Sequence, residues 1–552
     1  MLPSNKPPLP TIGNGTGGPC SILIFACVMV SLGTLVLPVA LTHMPPLVDY
    51  PNHVARLWLL SGGIKEVPLN SMYALDWSGA STNIGIDLFA VTVGRFIGGW
   101  NLAVLFLMAA VCLPPIGSVL LNRVIFGRYH WWQAGFAVLA WDGTLLMGFL
   151  GFQVSLGLAL VAAASVLAIG QSGGVIGLTM FRMILGTALL VFHPFAAVFF
   201  GILLAGIAFG PDGPVLAAGL AKRLWQAASA AAWGFGIPFL AFLLLAPRLP
   251  GGHAPEGVYN EWSGYEVSHK IGVFLSAIST YDLTIDIFTL IFLWAAARLA
   301  ACSQLFRCHR GLFSAALVLC SLTILSPTVL SGTAYVDWRF PPMAILTVVA
   351  AIQPNMRFVR TEQTMAVALM LLALTRTIWI ESIWVRCQPD EAAVEEVLTF
   401  VPAGAAVLPA EHTGLSNEHI PTCRQSSLGA PFFSHLYALT VPLRKAFIPT
   451  LFTAPGKQPL RVLPPWSDIS TIEGNAAPVS YLRSFSPPPQ AIGLRYLYSY
   501  LSDWRTRFDY VLVLNANEPD SEDEASLPGL KLLADRGFAR IYKIISKSKV
   551  DE

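Results

Sequence analysis

Along the first 383 residues the chain alternates long apolar stretches with short polar breaks; beyond them it does not. A bilayer-crossing helix needs about 20 mostly apolar residues, because its backbone polar groups find no water to pair with. Cys20–Thr42 is the first such stretch. It reads as a retained helix, because only Lys6 precedes it as a basic residue and it has no clean small-x-small cleavage site. Others follow at 83–98, 101–122, 131–149, 151–170, 180–209, 226–246, 284–301, 311–330, 339–355 and 363–383, which makes eleven. The stretch 180–209 is ambiguous. As one helix its 30 residues would run about 45 Å, and His193-Pro194 could kink or split it.

The distribution of basic residues arbitrates. With an inside N-terminus and a single crossing at 180–209, Lys222-Arg223, Arg307/Arg310 and Arg357/Arg360 all fall inside. Arg123 and Arg128 then fall outside, so the fit is incomplete. Splitting 180–209 would send the three clusters outward, so the single crossing is favoured. The long loops 43–82 and 247–283 then lie outside, together with residues 384–552. Most carboxylates of the membrane part also gather there: Asp49, Glu66, Asp76, Glu256, Glu261, Glu266, Asp282, Asp337 and Glu381.

The tail has a different pattern. A helical stretch at Asp390–Phe400 and a strand at Ala405–Leu408 come first. A buried strand at Tyr510–Leu514, a helix near Leu527–Arg536 and a closing strand at Ala539–Ile545 come last. This alternation predicts a small α/β layer. Between them, 410–505 is rich in Pro, Ser and aromatics and carries no phosphate loop, metal-ligand spacing or nucleophile elbow. The tail therefore reads as a lid or docking module.

Composition supports the division. The chain is 55% hydrophobic and 12% charged, with a mean hydropathy of +0.62. Soluble proteins carry roughly 25% charged residues, so a plain soluble enzyme, a disordered chain and a nucleic-acid binder are excluded. Residues 384–552 nevertheless hold 34 charges in 169 positions, a soluble content. The expected fold is thus a polytopic α-helical membrane protein of about eleven transmembrane helices (residues 1–383) with a C-terminal soluble α/β domain (384–552). Cys387 and Cys423 are the only cysteines of that tail, and an oxidising compartment would favour a bridge between them.

The densest chemistry follows the first span: Pro45-Pro46-Leu47-Val48-Asp49-Tyr50-Pro51-Asn52-His53-Val54-Ala55-Arg56-Leu57-Trp58-Leu59-Leu60. Pro51 suits the first position of a helix that Gly62-Gly63 would end. On it His53, Arg56 and Leu60 share a face, while Leu57 and Trp58 suit a membrane interface. Asp49 could cap this helix, but with Pro51 first it stands one residue too early. A local Asx-turn is its other structural reading. A carboxylate kept for chemistry is preferred over both.

An acidic residue just after the first transmembrane helix, opening an outer loop with a short interfacial helix, resembles the C-type (GT-C) integral-membrane glycosyltransferases. Asn83-Ile84-Gly85-Ile86-Asp87-Leu88, Phe192-His193-Pro194-Phe195, Tyr335-Val336-Asp337-Trp338-Arg339-Phe340 and Leu451–Pro459 look like bacterial members of that superfamily. The resemblance implies a bacterial inner-membrane, multi-pass enzyme with an extracytoplasmic active face and catalytic Asp49. Its donor would be a polyprenyl-phosphate sugar and its acceptor a hydroxyl on lipid, polysaccharide or protein; membrane lipids are partners and nucleic acid is not. No strict metal signature of the oligosaccharyltransferase branch is evident, which argues against assuming a required metal; a divalent cation stays an open alternative.

In this chemistry a carboxylate takes the proton of the attacking hydroxyl, the role of Asp49. Fixed positive charge receives the departing phosphate. Arg339 is the first candidate, because an arginine at a helix end beside a membrane is costly unless it has work. An ion pair with Asp337 is its structural alternative. Lys270, beside His269, and Arg56 come next. His53 could tune Asp49 or touch phosphate. Asp142 reads as a second carboxylate or as packing, with packing favoured, and His193 could satisfy carbonyls freed by Pro194. Glu261 and Glu266, among Tyr259 and Tyr265, could bind sugar hydroxyls, although solvation explains them as well. Asp87 and Asp286 read as structural. The alternatives to an enzyme are a lipid or sugar transporter, which would predict internal repeats that are not evident, and a non-catalytic envelope-assembly protein.

Overall fold

The computed structural model describes residues 19–545, apart from 79, 81, 171–173, 211–216, 246–263, 302–305, 331–332, 355, 357, 413–423, 430, 456, 473, 484–497 and 519–526. Among the described residues six helices are long and apolar enough to cross a membrane: Ile22–Leu41, Gly99–Phe126, Leu150–Ile169, Val175–Phe192, Gly219–Leu245 and Val359–Leu398. Pro194–Phe209 and Arg310–Leu325 are shorter apolar helices. Their outward sides carry bare Ile22, Ile184, Leu244 and Leu245, and helix Leu283–Ala301 carries bare Phe288, a surface that lipid but not water would cover. The protein is a multi-pass membrane protein.

The bundle has two ends of opposite character. At one, Asn122 Nδ2 donates to the carbonyls of Ala350 (3.0 Å) and Ile352 (2.9 Å), and the Trp131 indole donates to Pro354 O (2.9 Å). Strand Phe306–Cys308 pairs there with Ile352–Pro354, and Gly210 packs against His309 and Gly311. Arg123, Arg128, Arg307, Arg310 and Arg360 sit at or beside this basic end. The other end carries Asp49, Gly148, His193 and Arg339.

Two stretches depart from the hydropathy reading. The segment 180–209 is a helical hairpin. His193 leaves helical geometry (φ −164°, ψ 125°), its Nδ1 accepts the Phe195 N–H at 3.3 Å, and Pro194 opens a new helix. The return is fixed by Gly234: its carbonyl meets Gly186 on the first helix, and Leu204 of the second meets Gly234 itself. In one straight helix positions 186 and 204 would be about 27 Å apart. The segment Gly85–Ile97, conversely, does not reach the basic end. It starts where Ile84 N–H donates to Val191 O (3.1 Å) and finishes with Gly94 on Ser61 and Gly99 on Trp58. Asp87 near its start pairs with Arg56 at 3.1 Å, so the segment runs beside helix Tyr50–Leu60 at the Asp49 end.

The stretch 131–149 is also unusual. Trp131–Ala140 is a ten-residue 3-10 helix, followed by the short α-helix Gly143–Leu146. At about 2.0 Å per residue the 3-10 form covers about 20 Å, more than ten residues of α-helix would.

Helix Val359–Leu398 runs unbroken for 40 residues from the basic end into the tail, with Pro389 inside it. The tail holds a five-stranded sheet. Ala477–Pro478, Val407–Glu411 and Tyr510–Leu514 run parallel, and Ala539–Ile544 and Leu530–Asp535 continue it antiparallel. Tyr510–Leu514 is wholly buried, which explains its unbroken apolar run. The helix expected near Leu527–Arg536 is instead the edge strand Leu530–Asp535, held by antiparallel pairing with Ala539–Ile544. The tail also joins the first loop: Leu460–Val462 pairs antiparallel with Tyr73–Leu75, and Lys445 Nζ reaches Glu66 at 2.6 Å.

The hairpin rests on a glycine contact, which makes it testable. Gly186→Ala places a methyl against the Gly234 carbonyl and should cost about 1–3 kcal/mol, read as a lower melting temperature of the purified protein. Gly177→Ala, in open space on the same helix, should leave it unchanged.

Candidate functional site

Helix Tyr50–Leu60 starts one residue earlier than expected, so Asp49 occupies its cap position. Its side chain makes no capping hydrogen bond, and its backbone is already helical (φ −88°, ψ −9°). The position is set by the backbone instead. Val48 and Asp49 N–H donate to Leu146 O (3.0 Å) and Met147 O (3.2 Å). Gly148, at φ +80°, lies so close that a Cβ there would stand 2.7 Å from Asp49 N. Only glycine allows both that conformation and that approach.

Asp142 builds this turn. It is buried and caps Gly143–Leu146, accepting from Thr144 N (2.7 Å), Leu145 N (3.1 Å), Thr144 Oγ1 (2.6 Å) and Gln153 Nε2 (2.7 Å). A carboxylate so fully engaged is a structural device.

The tail supplies the other wall. Asn52 donates to Thr450 O (3.2 Å) and accepts from Phe452 N–H (3.0 Å), locking segment 450–452 onto the helix. His435 Nε2 stands 3.5 Å from Asp49 Oδ1, and its Nδ1 meets the Tyr437 hydroxyl at 2.8 Å. Burial holds His435 neutral by lowering its pKa to about 4. His53, fully buried and edge-on to Phe452 at 5.6 Å, has its pKa lowered well below the ordinary imidazole range, first by burial and then by the Arg56 charge. Two neutral imidazoles thus border a carboxylate that keeps some contact with solvent.

Arg339 sits among aromatic rings: its guanidinium carbon is 4.6 Å from the centroid of Phe149, 5.2 Å from Phe195 and 5.5 Å from Phe152. Ring quadrupoles stabilise a cation without cancelling its charge. Tyr335 links it to Asp49. This residue takes a left-handed conformation (φ +55°), meets Phe149 at 6.1 Å, and has its pKa raised by burial and by the Asp49 charge.

The remaining predicted residues divide clearly. Asp337, wholly buried, is bound by Lys270 Nζ (2.8 Å) and His269 Nε2 (3.1 Å), and Lys270 also donates to Ser326 O (2.9 Å). Lys270 is therefore spent on Asp337. Arg56 Nε is 3.1 Å from Asp87 Oδ1 in a buried pair, so its charge is also matched. Asp286 pairs with Arg376 (3.1 Å) and accepts from tail Ser427 (3.0 Å). His193 caps its helix and stands 5.6 Å from Phe152 in the Arg339 cluster. Glu266 is exposed at the cap position of Val267–Leu275, the helix that carries His269 and Lys270. Glu261 and Cys423 lie outside the described residues; Cys387 is buried in the long helix.

His435 and Tyr437 were missed. They lie in the aperiodic, Pro-rich part of the tail, where the only hint is a lone histidine within Phe432-Phe433-Ser434-His435-Leu436-Tyr437. A second overlooked cluster joins His43, Glu391 and Glu395, whose ligand atoms lie within 4.8 Å of one another. The His43–Glu391 pair at 2.5 Å accounts for it as a clasp between the first span and the long helix.

This arrangement matches a known fold. The structure superposes on the crystal structure of ArnT from Cupriavidus metallidurans in its apo state, a GT-C glycosyltransferase, with a TM-score of 0.50. The match covers 94% of this chain and 97% of ArnT at 12% sequence identity. No protein-family model and no curated protein matches the sequence. The chain therefore has the GT-C glycosyltransferase fold.

The buried imidazoles predict an acid-sensitive site. An unfolded histidine takes a proton near pH 6.5 while His435 resists it down to about 4. Its contribution is thus intact above pH 6.5 and lost as pH falls toward 4, on the order of 3 kcal/mol; His53 acts in the same sense. Melting temperatures between pH 7.5 and 4.5 should fall less steeply for His435→Gln than for the wild type.

Proposed function

We propose that the protein is a membrane glycosyltransferase that moves a sugar from a polyprenyl-phosphate donor to an acceptor hydroxyl on the outer face of a bacterial inner membrane. The observation that carries this reading is Asp49, held by backbone contacts at the start of an interfacial helix with its carboxylate not used for capping. The GT-C fold supports it.

The acceptor oxygen attacks the anomeric carbon, Asp49 takes its proton, and the bond from that carbon to the phosphate oxygen breaks. The electron pair leaves on the phosphate, whose growing charge Arg339 receives from its aromatic cradle. His435, neutral and braced by Tyr437, orients the Asp49 carboxylate without competing for the proton. Lys270 and Arg56, each already paired with an aspartate, hold the walls of the site.

The orientation follows from charge. With 180–209 crossing twice and Gly85–Ile97 lying along one end, the crossings again number eleven. Arg123 and Arg128 now join Lys222, Arg223, Arg307, Arg310 and Arg360 at one end. By the positive-inside rule that end is cytoplasmic, and Asp49 and the tail are extracytoplasmic. An oxidising location would permit a Cys387–Cys423 bridge. A cysteine placed at Ser78 should react with an impermeant maleimide added to intact spheroplasts, and one at Ser314 only after lysis; the opposite pattern overturns the orientation.

Asp49→Asn should lower transfer from a polyprenyl-phosphate sugar by about 10²–10⁴. Because no cap is lost, its melting temperature should stay close to the wild-type value. Arg339→Lys keeps the charge but loses the planar stacking, and should depress kcat more than donor KM. Near-normal turnover in Asp49→Asn would reduce Asp49 to a structural residue.

A further inference from the structure

A cavity of about 570 Å³ opens at the basic end, far from Asp49, lined by Leu167, Arg182, Ile207, Trp225, Gln226 and His309 among others. Arg182 is the informative residue. It is the eighth residue of helix Val175–Phe192, about 10 Å from the helix start, where an arginine in an apolar span is expensive without a partner. Its Nε is buried with no acceptor among the described residues. Gln226 and Ser229, three residues apart on one helical face, and His309 from a third helix start supply further polar groups. Among the described lining residues there is no carboxylate, so their polar groups suit an anion. Trp225, 75% exposed, stands at its edge as an interfacial aromatic does. Apolar walls of leucine, isoleucine and alanine complete it, and such a volume is typical of a small-molecule site.

We propose that this cavity binds the phosphate headgroup of an anionic membrane lipid drawn from the leaflet at the basic end. The guanidinium would meet phosphate oxygens in its fork geometry, Gln226 and Ser229 would donate to the remaining ones, and an acyl chain would lie past Trp225 along the helices. The site is independent of the transfer reaction, since it shares no residue with the Asp49 end.

The test uses the purified full chain, offered equal phosphatidylglycerol and phosphatidylcholine and analysed by native mass spectrometry. The wild type should retain phosphatidylglycerol over phosphatidylcholine by about tenfold, equivalent to about 1.4 kcal/mol. Arg182→Gln should abolish the preference and Arg182→Lys should keep part of it. Equal retention of both lipids by the wild type, or an unchanged preference in Arg182→Gln, overturns the site. Thermal stabilisation by inorganic phosphate alone, matching that by phosphatidylglycerol, overturns the assignment to a lipid. Should Arg182→Gln fail to fold, Gln226→Leu combined with Ser229→Ala must weaken the preference, and the wild-type competition stands on its own.

Discussion

Two backbone hydrogen bonds, from Val48 and Asp49 to the carbonyls of Leu146 and Met147, hold the structure of the Asp49 end together. They join the start of the interfacial helix to a turn that exists only because Asp142 caps the short helix before it. Gly148 lets the two backbones touch. From the opposite side Asn52 spends both halves of its amide on the backbone of Thr450 and Phe452, so the tail is latched to the same helix. The backbone so placed sets where the carboxylate stands, His435 Nε2 lies 3.5 Å from its Oδ1, and the side-chain cap of the helix is left unmade. The tail acts as one wall of the site, which places His435 where no membrane helix could put it.

Charge is distributed with the same economy. Lys270 with Asp337, Arg56 with Asp87, and Arg376 with Asp286 are buried pairs, each of which would cost several kcal/mol to break by removing one partner. They fix the relative placement of loop and helix. Arg339 is held among three rings, and its Nη2 donates to Ala334 O at 3.3 Å.

Hydropathy made the membrane part legible, because a helix in lipid must be apolar over most of its length. It could not tell a helix that crosses from one that lies flat. Gly85–Ile97 is apolar enough for either, and only its contacts with Val191, Ser61 and Trp58 decide. Nor could it show that His193 caps a second helix, since the apolar run continues through the turn. These two misreadings offset each other in parity, which is why the basic clusters first appeared consistent apart from Arg123 and Arg128. Asp49 stood out as a candidate because it precedes the helix that Pro51 opens, and Arg339 because an arginine at a helix end beside a membrane is costly. His435 did not, because it reaches the site through an aperiodic loop whose fold depends on contacts distant in sequence. Leu530–Asp535 was misread because a short edge strand and a short helix share the same mixed pattern.

In the proposed reaction Asp49 and Arg339 flank the two ends of one breaking bond. The most direct test is a cryo-EM structure of the full chain with a non-hydrolysable polyprenyl-phosphonate sugar bound. The account predicts the phosphonate within hydrogen-bond reach of the Arg339 guanidinium, about 2.7–3.2 Å, and the anomeric carbon close enough to Asp49 for one acceptor hydroxyl to fit between them. A donor bound with its phosphonate at the basic end, or with Asp49 facing away from the sugar, would contradict it.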